Sequence, residues 1–149
     1  MHLQSYEVET QDRFIYEFDS IGPKGIIRKA VFFQRRGKMS DNLYNLSLKD
    51  WDKELKIFVD DRISNNSDTK KVLATIAIIV DRFLTNNPAA IIQFTGNTPA
   101  RNRLYRMNMM PLLDKIAINY IIWGKVNGEF RPLVKNVEYE SFLIFRNIR

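Results

Sequence analysis

The chain has 149 residues, 45% of them hydrophobic, which suits one domain spanning 1–149 with its own apolar core. It has no cysteine and a single histidine, His2, so disulfides, zinc–thiolate sites and cysteine nucleophiles are excluded, and a Ser-His-Asp triad or multi-histidine metal site would have to be built on a terminal residue. The formal charge of +6 is uneven: residues 1–69 hold 11 Lys/Arg and 12 Asp/Glu (net −1), residues 70–149 hold 12 and 5 (net +7), a distribution that suits a polyanionic partner.

Met1 to Glu9 has no basic-then-apolar signal pattern, and the expectation is a cytoplasmic protein. Arg13 to Asp19 alternates, with Phe14, Tyr16 and Phe18 on one side, and predicts a half-buried strand. The turn Ser20–Gly25 leads to a second strand, Ile26 to Arg35, apolar on both faces around Val31, Phe32 and Phe33. After Arg36-Gly37-Lys38, a third strand carries Tyr44, Leu46 and Leu48 on one face, completing an antiparallel meander. Asp50, Asp52, Lys53 and Glu54 read as exposed, apart from the indole of Trp51 between them. Leu55 to Val59 is a candidate short strand, and Asp60 to Asp68 a polar loop.

Ser67 or Asp68 is expected to cap a central helix from about Thr69 to Leu84, with Val72, Leu73, Ile76, Ala77, Val80, Phe83 and Leu84 in one stripe. The longest apolar run, Val72 to Val80, is broken by Thr75 and is far too short for a membrane span, so no membrane is expected as a partner. Asn86-Asn87-Pro88 ends the helix, and Ala89 to Thr95 reads as a buried strand. Helices are predicted from Pro99 to about Met107 and from Pro111 to about Ala117, separated because proline disfavours helix at the residue before it. Ile118 to Trp123 reads as strand. Asn127-Gly128 predicts a hairpin joining Tyr120–Val126 to Glu129–Val134, and Glu140 to Arg146 alternates as a last strand. The expected fold is α+β: a largely antiparallel sheet with two or three helices packed on it, in the order β-β-β-(β)-α-β-α-α-β-β-β.

The most informative stretch is Phe94-Thr95-Gly96-Asn97-Thr98-Pro99-Ala100-Arg101-Asn102-Arg103-Leu104-Tyr105-Arg106. Gly96 permits a sharp turn, Thr98 is a good N-cap, and Pro99 suits the first helical position. Arg101 and Arg103 would then lie by the positive end of a helix dipole, with Arg106 three residues on. Cations there are unfavourable unless an anion or an acidic side chain relieves them. The spacing is neither a Walker loop nor a dinucleotide fingerprint.

Three segments resemble a family of small, uncharacterised bacterial proteins, mostly from Bacteroidetes. They are Tyr44-Asn45-Leu46; Ile63-Ser64-Asn65-Asn66-Ser67-Asp68 with Lys71-Val72-Leu73-Ala74-Thr75; and Gly96-Asn97-Thr98-Pro99-Ala100-Arg101-Asn102-Arg103-Leu104-Tyr105-Arg106. The family form often has Gly at position 67 and Ser at position 97. The resemblance covers most of the chain and implies two signature places, Asn65–Asp68 and Gly96–Arg106, but no activity.

Each signature is a polar loop entering a helix. If the two helices lie side by side in one direction, two outcomes are open. One is a structural clasp, Asp68 pairing with Arg101 or Arg103. The other is a composite pocket in which Ser64, Asn65, Asn66, Asp68 and Lys71 adjoin a phosphate site of Gly96, Asn97, Thr98, Arg101, Arg103 and Arg106. The leading functional expectation is binding of nucleic acid or nucleotide phosphate, extended by Lys70, Lys71 and Tyr105. An alternative is a phosphoester-acting enzyme of toxin type, with Asp60, Asp61 and Asp68 on a metal and the arginines on developing charge. A faint Asp50/Asp52…Glu54-Leu55-Lys56 pattern adds almost nothing to it. A third is a protein-interaction or accessory subunit using Met107, Met109 and Met110. No complete catalytic motif is present; no cofactor or resident metal is expected, and oligomeric state is left open.

Overall fold

The computed structural model describes residues 4–60, 65–95, 102, 103, 107, 111, 120–134 and 136–147. The strands are β1 (Glu9–Thr10), β2 (Ile15–Gly22), β3 (Gly25–Arg36), β4 (Leu43–Asp52), β5 (Ile57–Val59), β6 (Ile91–Phe94), β7 (Tyr120–Val126), β8 (Glu129–Pro132) and β9 (Phe142–Arg146). A short 3₁₀ turn, Met39–Asp41, precedes β4, and helix α1 (Thr69–Asn86) lies between β5 and β6. All nine strands join one sheet, in the order β1-β2-β3-β4-β6-β9-β7-β8, with β5 paired to the end of β4.

Period-two alternation gives the sheet one buried face. The register aligns Tyr16 with Val31, Phe33 with Leu46, Tyr44 with Ile92, and Ile92 with Ile144, so the inward residues of successive strands form continuous rows. Helix α1 closes this face. The Phe83 ring stacks on Phe33 at 3.9 Å and meets Tyr44 edge-on at 5.1 Å. Burying one such side chain is worth about 1.5–3 kcal/mol. The helix ends at Asn87, whose N–H donates to Phe83 O, just before Pro88.

Strands β4 and β6 pair in parallel, with α1 in the connection between them. The helix therefore runs back along the sheet. Phe83 meets the beginning of β4, while Asp68 reaches Ser20 near the end of β2. The carboxyl ends of β4 and β6 and the start of α1 thus share one end of the sheet.

The β7–β8 hairpin forms where Asn127-Gly128 places it, with φ of 50° and 80°, both left-handed as a two-residue type I′ turn needs. At Gly124 the Tyr139 ring lies so close that a Cβ would come within 2.1 Å of it, so the inward row of β7 is filled by a tyrosine from the following loop.

The α+β class and the antiparallel meander agree with expectation, while the element order differs. Among the described residues it is five strands, one α-helix and four strands. The additional β1 is two residues long, too short to show a period, and exists because Glu9 and Thr10 find Glu17 and Tyr16 beside them. The helices expected over 99–107 and 111–117 fall largely outside the described residues, although Asn102, Arg103 and Pro111 are helical. No helix among the described residues is long and apolar enough to cross a membrane.

Candidate functional site at the start of α1

Residues 65–68 form a tight loop. Asn65 Oδ1 accepts the Ser67 N–H at 3.2 Å, and Ser67 sits at φ 59°, a left-handed conformation that favours glycine. That conformation suits the glycine that the resemblance implies at position 67. Asn66 is buried, and its amide is used on both sides. Oδ1 accepts the Lys24 N–H at 2.8 Å, while Nδ2 donates to Gly25 O at 3.0 Å and to Ser20 Oγ at 3.2 Å. One side chain therefore holds the β2–β3 turn closed. The packing is tight enough that a Cβ on Gly22 would come within 2.0 Å of the Asn66 carbonyl oxygen.

Asp68 is the N-cap residue of α1, as expected, but its carboxylate makes no capping bond. Oδ2 instead accepts hydrogen bonds from Tyr6 Oη at 2.6 Å and Ser20 Oγ at 2.5 Å. Tyr6 is the centre of an N-terminal strap. Its ring stacks on Phe18 at 5.8 Å, Lys71 Nζ lies 4.3 Å from that ring, and its backbone N–H donates to Thr75 Oγ1. Burial first, and then donation to the Asp68 carboxylate, raise the Tyr6 pKa. Asn66, Asp68 and Lys71 thus join the strap, β2, the β2–β3 turn and α1. Ser64 lies outside the described residues.

The arginine signature meets different partners. Arg103 pairs with Glu138, and Asn102 Nδ2 donates to Glu140 O at 3.0 Å, so these two residues are tied to the segment before β9. Asp68 and Arg103 do not pair with each other: the clasp at Asp68 is made with Tyr6 and Ser20. Arg103 and Glu138 side chains are 52% and 70% exposed, which makes theirs a surface pair. Gly96, Asn97, Thr98, Arg101 and Arg106 lie outside the described residues, as do Asp61, Tyr105, Met109 and Met110. Lys70 and Met107 are exposed, and Asp60 lies 3.8 Å from Lys49 Nζ. No group of three or more His, Cys, Asp or Glu side chains among the described residues could hold a metal ion.

A second polar cluster lies under the same end of the sheet. Asp50 and Asp52 are buried, contrary to the exposed reading of Asp50 to Glu54, and the Trp51 indole between them is 36% exposed. Asp50 shares inward parity with Tyr44, Leu46 and Leu48, and Lys29 shares it with Val31 and Phe33. Register sets Lys29 and Asp50 side by side, joined at 2.8 Å with side chains 6% and 5% exposed. Opposite charges at inward parity on adjacent strands were the available signal, outweighed by the charged composition of residues 50–54. Among the described residues, Asp50 Oδ2 has no hydrogen-bond partner. Asp52 turns the chain: Oδ1 accepts the Glu54 and Leu55 N–H groups, each at 2.9 Å. Tyr6 and Ser20 were also missed as signature partners, because nothing local in sequence links them to residues 66–68.

The fold and these contacts define an α+β protein in which the signature at residues 65–68 sits at the start of α1, at the end of the sheet where β4 and β6 have their carboxyl ends. The chain belongs to DUF6934, a family of unknown function, whose model matches residues 2–147. No curated protein and no solved structure matches it.

Proposed function

We propose that the protein binds nucleic acid or nucleotide phosphate through the stretch Gly96–Arg106. The observation that carries this reading is topological. In a β-α-β unit with parallel strands, ligands collect outside the carboxyl ends of the strands. The parallel pair β4 and β6 meets that description, and the signature stretch follows directly from the carboxyl end of β6. The net charge of +7 over residues 70–149 supplies the attraction. Arg103 is exposed, and its pair with Glu138 is of the kind worth about 0–1 kcal/mol, so a phosphate can displace the carboxylate at little cost. Asn66 and Asp68 serve this site by fixing the neighbouring helix start, rather than by touching the ligand.

The test is binding of RNA and DNA oligonucleotides over a salt series. Each phosphate contact adds about 0.7–0.9 to the slope of log affinity against log salt. Arg101→Ala and Arg103→Ala are each expected to weaken binding and to lower that slope by about one contact. A salt-independent affinity, or no binding at low salt, removes the proposal.

A further inference from the structure

The sheet face turned away from α1 carries its own pattern. Trp51 and Phe58 pair across β4 and β5, and Phe58 meets Phe32 at 5.6 Å. Lys49 Nζ lies 4.8 Å from the Phe32 ring centroid. On the same face, Asn45, Gln93, Leu143 and Trp123 form a row across β4, β6, β9 and β7, and Trp123 meets the Phe145 ring edge-on at 5.9 Å. These side chains are half-buried or exposed. Aromatic rings therefore stand at both ends of the face, with amides between them.

Charge is sorted on this face. Its strand carboxylates, Glu9, Glu17 and Asp19, sit at the β1–β2 edge and all engage Arg28. At the outward positions of β4, β6, β9 and β7, the charged side chains are Lys49 and Lys125, with no carboxylate among them. Asp60 approaches Lys49 from a loop, at 3.8 Å and half-exposed. The exposed Trp51 ring and half-buried rings beside it, interleaved amides, and strand lysines with no carboxylate on the neighbouring strand positions suit a chain of unstacked bases on a phosphate backbone. A duplex keeps its base faces covered and cannot use the rings.

We propose that the face turned away from α1, from Trp51, Phe58 and Lys49 across Asn45 and Gln93 to Trp123, is where a single-stranded nucleic acid lies, its bases stacked on the rings. The inference rests on the nucleic-acid reading above and names the strandedness and the surface. By strand spacing and rise, Trp51 and Trp123 are roughly 25 Å apart, room for several nucleotides.

The chain's two tryptophans, Trp51 and Trp123, are both on this face, so intrinsic fluorescence reports on it. The experiment titrates the full chain at low salt with labelled single-stranded oligonucleotides and with duplexes of equal length, following anisotropy and tryptophan emission together. Expected are tighter single-strand binding and quenching that tracks anisotropy. Trp51→Leu, and independently Phe58→Leu, should each lose about five- to a hundredfold in affinity, with melting temperatures measured alongside. Binding with unchanged emission, and with both variants at wild-type affinity, overturns the inference and leaves the arginine reading standing. Quenching and variant losses with Arg101→Ala and Arg103→Ala unaffected would support the face and refute the arginine site. No binding to either form refutes both. Emission that follows protein concentration rather than oligonucleotide, together with a dimer in sedimentation, assigns the face to a second copy and overturns the inference.

Discussion

Asn66→Ala separates structure from ligand contact in the first signature. The native amide accepts from Lys24 N–H at 2.8 Å and donates to Gly25 O at 3.0 Å and Ser20 Oγ at 3.2 Å. At about 1 kcal/mol net per bond, the truncation costs about 3 kcal/mol, falling toward 2 where water reaches the freed turn groups. For a chain of this size that lowers the melting temperature by roughly 4–12 °C. The measurement is thermal unfolding by circular dichroism, with a urea titration to check that the slope is unchanged. Oligonucleotide binding, measured well below the transition, should match wild type. A variant that melts within about 1 °C of wild type would refute the hydrogen-bond argument. One that melts normally but no longer binds would make Asn66 a ligand residue.

Ser67→Gly relieves a left-handed residue at φ 59° and should stabilise by about 0.5–1 kcal/mol, the steric relief exceeding the added chain entropy; an unchanged or lower melting temperature would contradict this. Lys29→Met leaves the buried Asp50 carboxylate without its cation and should cost about 3–5 kcal/mol, whereas Lys29→Met with Asp50→Leu should recover most of it; a double variant no more stable than the single refutes the account. Tyr6 and Tyr120 both have raised pKa values, by burial first and then by donating to Asp68 and Asp81. Their contribution to stability is full below about pH 10 and is lost as pH rises beyond it, because only the unfolded phenols then ionise freely. Tyr6→Phe should flatten the alkaline limb of stability against pH; a limb identical to wild type would rule Tyr6 out as its source.

The sequence by itself determined the parts governed by local rules. Period two set the inward faces of β2 and β4, period 3.6 set the stripe of α1, and Asn127-Gly128 set the last hairpin, because backbone geometry ties each pattern to one conformation. It also singled out residues 65–68, whose left-handed Ser67 and Asx turn are local features. Tertiary structure alone decided what those residues touch. Asp68 read as a cap or an arginine partner, yet Tyr6 and Ser20, 62 and 48 residues away, hold its carboxylate. Asp50 and Asp52 read as solvated because charge usually stays in water, and register placed them inward instead, where Lys29 and a turn's N–H groups receive them. A hydrogen bond or ion pair depends on which strands become neighbours. The parallel seating of β6 between β4 and β9 follows from packing the whole sheet against α1, and no short window of the chain contains that information.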